Sequence, residues 1–501
     1  MESFISSQMH LEAYRGNGHL NYKMILKILG ILLHLEGAFF LVCSFVSLLY
    51  KESDYIYFIY TMLINMGVGT LLMILGRNAR NNLSSRDGYC IVAFTWLFFT
   101  GFGMLPFYIS GSIPTITDAF FETMSGFTTT GASILDDIES LSHGMLFWRS
   151  FTQWIGGLGI VFFTIAVLPI FGVGNQVLFS AEATGVTHDK IHPKISRMAK
   201  GLWMVYFMLT ASETVFLYMG GMSLFDSVCH SFTSTATGGF STKQSSIAYW
   251  NSPYIEYVIT IFTLLASINY SLYFLIFKGK PLRWLKDSET KYFLWSVGIV
   301  TIIIALALFF MKGYDAERAF RTSFFQVVTL HTSCGYCTDD YVLWPHFTLL
   351  LILYCMIAGG CTGSTAGGIK GMRINIILQN VKNEFNRLMH PRAVLPVKIN
   401  SQSVSASTIS TVTTFAMLYL MCTFVGWFIL MLTGLEMEEA LGVAASSIGN
   451  TGPGFGLFGP DSSWNSLPVV AKWISSFMML IGRLEIFGIL LLFSTGFWGK
   501  R

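Results

Sequence analysis

Four stretches of this chain end in small polar residues and glycine: Ser125-Gly-Phe-Thr-Thr-Thr-Gly-Ala132, Phe232-Thr-Ser-Thr-Ala-Thr-Gly-Gly-Phe240, His331-Thr-Ser-Cys-Gly-Tyr336 and Ser447-Ile-Gly-Asn-Thr-Gly-Pro-Gly-Phe455. What such residues offer chemically is oxygen. Glycine admits the dihedrals that turn peptide carbonyls toward an axis. Carbonyl oxygens so placed can replace the hydration shell of a monovalent cation, with Ser and Thr hydroxyls as further ligands. With Gly131, Gly238, Gly335 and Gly452 taken as equivalent, the candidate ligand set is Thr128, Thr129, Thr130 and Gly131, then Thr235, Ala236, Thr237 and Gly238, then Thr332, Ser333, Cys334 and Gly335, and last Asn450, Thr451 and Gly452. One such loop is an ordinary re-entrant turn or helix cap; four, about a hundred residues apart, argue for a repeat with a common centre.

Other chemistry is set aside. Cys334 and Cys337 have the CxxC spacing of a thiol oxidoreductase but lack its βαβ context, and Gly454 to Gly459 match GxGxxG without the strand it requires. His230 and His331 precede two of the loops and read as packing. Glu36 reads as a partner for a neighbouring helix. No convergent nucleophile and base or metal-ligand spacing is visible, so an enzyme is not expected. Net charge is only +3, so nucleic acid is not expected either. No cofactor is implied.

The elements that must position these loops are membrane helices. Hydrophobic residues make up 53% of the 501 and charged residues 12%, far from soluble proportions. Apolar runs predict ten spans, near residues 26–50, 55–76, 89–110, 145–172, 200–220, 254–277, 292–312, 346–378, 408–433 and 467–497. Basic residues collect in alternate loops, which places both termini in the cytoplasm. Between certain spans a half-length helix dips in and ends at a polar loop. Acids near its start (Asp118, Asp226, Asp315 with Glu317, and Glu436) fit an inward-pointing negative end. The fold expected is an all-α polytopic membrane protein. Residues 1–86 form a two-helix domain; four repeats of helix, pore helix, filter loop and helix follow at 87–197, 198–289, 290–395 and 396–501, around one pore. The eighth span is interrupted by Gly359-Gly-Cys-Thr-Gly-Ser-Thr-Ala-Gly-Gly368, which cannot continue as helix.

Thr128-Thr-Thr-Gly-Ala132, Thr237-Gly-Gly-Phe-Ser-Thr242, Asn450-Thr-Gly-Pro-Gly454, Gln153-Trp-Ile-Gly-Gly157 and Gly482-Arg-Leu-Glu485 resemble the Trk, Ktr and HKT superfamily of potassium transporters over nearly the whole chain. The two extra N-terminal helices make the resemblance strongest to its TrkH-type subunits. It implies a potassium-selective conducting subunit in a bacterial inner membrane, with rubidium as a close mimic of the permeant ion. It also implies a homodimer, and a separate cytoplasmic ring of nucleotide-binding, TrkA-like regulatory subunits, for which Lys382 to Lys398 offer docking surface. The third loop departs from the family's usual Thr-Thr-Thr-Gly-Phe run, and a thiol at Cys334 is a poorer ligand than a hydroxyl.

The same resemblance makes the interrupted eighth span an intramembrane gate, comprising Gly359, Gly360, Gly363, Ser364, Thr365, Gly367, Gly368 and Lys370. It pairs the gate carbonyls with Arg483, at matching depth in the last span. A mid-membrane arginine needs such a partner. The rival expectation is a secondary transporter coupling potassium to protons or sodium through a buried acid such as Glu36 or Glu213.

Overall fold

The computed structural model describes residues 20–79, 83–157, 159, 195–277 and 284–498. Six helices are long and apolar enough to cross a membrane alone: Tyr22–Leu49, Tyr55–Leu75, Arg86–Ile109, Gly201–Met219, Ser288–Lys312 and Ala406–Leu432. Trp295, Phe310, Met417 and Leu432 on these helices are each more than two-thirds exposed, an arrangement suited to hydrocarbon rather than water. The fourth predicted span appears as His143–Gly157, and its continuation past residue 159 lies outside the described residues.

Three predicted spans are broken. Glycine in the eighth stops the helix His346–Ala358, and a new helix, Gly371–Met389, begins after the loop. The other two breaks correct the expectation of continuous helices. The sixth span divides into Pro253–Ala266 and Tyr270–Phe277. The backbone groups freed there are satisfied by the glycine-rich loop, since the Cys361 amide donates to Ser267 O at 3.0 Å and the Tyr270 amide to Gly363 O at 3.1 Å. The last span ends at Arg483 and turns through 109° before Phe487–Phe493, with Glu485 and Ile486 both left-handed at φ 52° and 56°.

Four half-length pore helices, Ile116–Phe127, Leu224–Thr235, Ala316–His331 and Met437–Gly449, alternate with the spans. Twelve residues make about 18 Å of helix, half a membrane's thickness. Their starts are fixed by capping. Thr115, Ser223 and Asp315 accept from the amides of Asp118, Asp226 and Arg318, and the Glu439 carboxylate accepts from the Glu436 amide at 3.3 Å. With acids in every first turn, the dipoles run negative toward the loops that follow.

The first two helices form a hairpin whose close approach depends on Gly30 and Gly69: a Cβ on Gly69 would stand 2.9 Å from Gly30 O. The hairpin docks on the first repeat through Phe40 against Trp148 and Phe39 against Phe151. Glu36 accepts from the Asn65 amide at 2.9 Å within it, as expected for a helix-pairing acid.

Candidate ion-conduction site

Each pore helix ends in the same turn. The amides of Thr130, Gly238, Cys334 and Thr451 donate to the carbonyls of Ser125, Thr233, Thr329 and Ser446 at 2.9, 2.8, 2.7 and 3.0 Å. The residue before each is left-handed: Thr129 at φ 53°, Thr237 at 52°, Ser333 at 59° and Asn450 at 52°. Non-glycine residues there cost about 1 kcal/mol or more each and persist only where the surroundings enforce them. The residue after each is a glycine with positive φ: Gly131, Gly239, Gly335 and Gly452.

These four glycines close a ring. A Cβ on Gly131 would collide with Gly238 O, one on Gly239 with Cys334 O, and one on Gly335 with Thr451 O; one on Gly452 would stand 2.8 Å from Thr130 O. Each loop thus lays its glycine against the carbonyl of the next, from first to second, third, fourth and back to first. Four peptide oxygens, those of Thr130, Gly238, Cys334 and Thr451, lie at the contacts between neighbouring loops.

The ring corrects the register assigned to the second loop. Gly239, not Gly238, matches Gly131, Gly335 and Gly452, so the second candidate set moves on by one, from Thr235 through Gly238 to Ala236 through Gly239. Gly238 lacks a side chain for another reason: a Cβ there would meet Gln153 at 2.7 Å. Gln153 Nε2 donates to Gly238 O at 2.8 Å, and its Oε1 accepts from the Phe240 amide at 3.0 Å.

Gln153 braces the second loop from the helix His143–Gly157, Arg149 of the same helix does likewise, and the other seams have braces too. Arg149, ion-paired with Glu122 at 2.6 Å and almost fully buried, donates to Ser241 O at 2.8 Å and lies over Phe240. Tyr336 reaches from the third loop to the second, and Tyr341 donates to Gly454 O of the fourth at 2.7 Å. Asn450 closes the circuit by donating to Thr130 Oγ1 at 3.0 Å. The motif Gln153 to Gly157 signalled one of these braces, and the departure of the third loop from a final Phe drew notice to Tyr336; nothing in the sequence marked Tyr341.

Several of the loop hydroxyls donate their protons to protein acceptors, which leaves their oxygen lone pairs available. Thr128 donates to Met124 O, Thr332 to Thr329 O, Thr237 to Ala236 O and Thr235 to Glu213. Cys334 belongs to an apolar cluster with Leu217, Ile259 and Phe325, so its thiol packs behind the ring and its carbonyl is what the ring uses. Cys337 instead bonds Pro460 O and Asp461, and both thiols are free. His230 is held by Asp226 O and Ser241 Oγ, and His331 by Ser296 Oγ.

Gly131, Gly239, Gly335 and Gly452 also line one cavity of about 70 Å³, shared with Lys243, Cys337 and Asp461 from the loops beyond the turns. Burial pulls the Lys243 ammonium down, but the hydrogen bond and charge of Glu139, with Tyr249 and Asp226, together carry it above its ordinary value. Burial, with Asp340 beside it, raises the Asp461 carboxyl.

On the opposite side the loop from Gly359 to Lys370 crosses beneath the turns. Gly359, Gly363, Gly368 and Lys370 take φ of 70°, 74°, 76° and 77°, and Gly360 packs 3.1 Å from Ser267 by the same Cβ measure. Ser364 donates back to Cys361 O at 2.6 Å. Glu289 fastens both ends, accepting from the amides of Thr362 at 2.6 Å and Met372 at 2.8 Å. Thr365 Oγ1 donates to Thr235 O at 3.2 Å, the Gly367 amide donates to Ser333 Oγ at 2.7 Å, and a Cβ on Gly367 would strike Gly449 O. The loop therefore touches the ends of the second, third and fourth pore helices.

Arg483 joins it to the first repeat. Its guanidinium donates to Thr365 O at 3.0 Å, to Gly157 O at 2.8 Å and to Gly156 O. Glu485, two residues on, turns instead to Lys370 at 3.5 Å and to Arg373. The last span grips the loop at its middle and its end.

Comparison with known proteins agrees with this architecture. A family profile described as TrkH, cation transport protein, matches residues 56–499. The Trk system potassium uptake protein TrkH of Escherichia coli (strain K12) is 37% identical over 96% of this chain and 100% of its own. TrkG of the same strain, also named a Trk system potassium uptake protein, is 34% identical over 95% and 98%. The crystal structure of the potassium transporter TrkH from Vibrio parahaemolyticus superposes with a TM-score of 0.86 at 33% identity, covering 96% of this chain and 100% of that one. This chain belongs to the TrkH family of cation transport proteins.

Proposed function

We propose that this chain is the potassium-conducting subunit of a Trk-type uptake system. The observation that carries the reading is the ring in which each loop's glycine abuts the next loop's carbonyl, at Gly131, Gly239, Gly335 and Gly452. Four converging helix C-termini, each worth about half a negative charge, favour a cation beside it. Peptide oxygens fixed by braced seams suit potassium and its mimic rubidium, and resist the contraction that smaller sodium would need.

The loop from Gly359 to Lys370 is the gate, held across the inner end of the pathway by Arg483, Glu289 and Glu485. A second copy of this chain and a cytoplasmic nucleotide-binding ring complete the system, with the basic helix ending at Met389 and the segment to Lys398 as docking surface. The protein resides in a bacterial inner membrane with both termini cytoplasmic.

A second reading, ion-coupled symport, has one observation in its favour. Glu213 is fully buried beside the second pore helix, where the hydroxyls of Ser234 and Thr235 donate to it. A single experiment separates the two. In planar bilayers with potassium on one side and sodium on the other, a channel reverses near the potassium equilibrium potential whatever the proton gradient. A reversal that moves with pH establishes symport, and a reversal near zero removes potassium selectivity altogether.

A further inference from the structure

Three of the positions that follow the ring glycines, Ala132, Phe240 and Pro453, have no side-chain donor; the fourth is Tyr336. Its ring is fully buried and stacks on His230. Its hydroxyl shares a hydrogen bond with the Thr233 hydroxyl and lies 3.4 Å from both His230 O and Phe240 O. All three partners belong to the second repeat. Its own carbonyl accepts from Thr329 Oγ1 at 3.0 Å and Gln326 Nε2 at 3.3 Å in the third.

Thr233 anchors the second turn, because its carbonyl receives the Gly238 amide. The equivalent hydroxyls in the first and fourth repeats, Ser125 and Ser446, make no hydrogen bond among the described residues. One side chain therefore ties the anchor of one turn to the exit of the next, two residues from the Cys334 carbonyl that rests on Gly239.

We propose that Tyr336 is a positioning residue for ion selectivity: its hydroxyl holds the second and third loops at the spacing that keeps the carbonyl ring from contracting around a smaller alkali cation. The proposal rests on the potassium reading above. Phenylalanine fills the same volume, so Tyr336→Phe removes the tether and leaves the packing.

The test measures the potassium-to-sodium permeability ratio from reversal potentials of the purified full chain in liposome-derived bilayers, with thermal stability and oligomeric state recorded in parallel. Tyr336→Phe is expected to lower the ratio about five-fold, the factor equivalent to one buried hydrogen bond, at unchanged oligomeric state. Thr233→Val removes the other end of the tether and is expected to give the same fall; the double variant is expected to fall no further. A discriminating wild type with unchanged ratios in both single variants overturns this proposal alone. A wild type that does not discriminate overturns the potassium reading, and this proposal with it.

Discussion

The ring glycines are the residues with the least freedom to change. Gly335 sits at φ 79° with Thr451 O where a Cβ would go, so alanine there meets both backbone strain and a backbone atom that cannot step aside. Gly335→Ala is expected to destabilise the protein by about 1 to 3 kcal/mol and to drive the potassium-to-sodium permeability ratio toward one, measured by melting in detergent and by reversal potential. Residue types announced three of these four positions. In the second loop two glycines stand side by side, and composition cannot say which one faces a neighbouring loop and which makes room for Gln153. That distinction lives in contacts between residues about a hundred apart, as do the roles of Tyr336 and Tyr341.

Among the elements, the interrupted helix and the last span act together. Arg483 satisfies carbonyls of the glycine-rich loop and of the helix His143–Gly157 at once, while Lys370 and Arg373 meet Glu485. Removing the guanidinium leaves those buried carbonyls without a charged donor and frees the loop from the first repeat. Arg483→Ala is therefore expected to raise basal conductance, by on the order of ten-fold in the open-to-closed ratio if one charge-assisted hydrogen bond is lost; single-channel recording without any regulatory partner checks it. Unchanged or lower flux would count against the clamp. Five glycines in ten residues made the break at Gly359 legible. The breaks after Ala266 and Arg483 were not, because the first is compensated by the distant glycine-rich loop and the second rests on a local turn in which the Ile486 amide donates to Ile481 O.

At the scale of the molecule, apolar runs and the alternation of basic loops were enough to read a polytopic membrane protein, since lipid leaves a chain few alternatives to helices. The outer face carries a further expectation. Asp461 lines the cavity above the ring, and burial and Asp340 raise its carboxyl above the ordinary range. A raised carboxyl is charged only above its own displaced value, so it becomes neutral at a higher outer pH than an ordinary aspartate of about 3.9. Acidifying the outer solution through that region is expected to reduce inward current at low potassium about two-fold, the effect of one unit charge about 8 Å away in water-like surroundings. In Asp461→Asn the current starts at the reduced level and the step disappears, as a pH titration of inward current at fixed voltage can show.

The bonds from Gly367 to Ser333 and from Thr365 to Thr235 tie the glycine-rich loop to the turns that carry the ring glycines. With that loop as the proposed gate, opening cannot leave those turns undisturbed, and by thermodynamic reciprocity an ion held there biases opening in return. The traveller is then also an effector: exchanging potassium for an alkali metal of another radius changes how long the pathway stays open, besides how fast it is crossed.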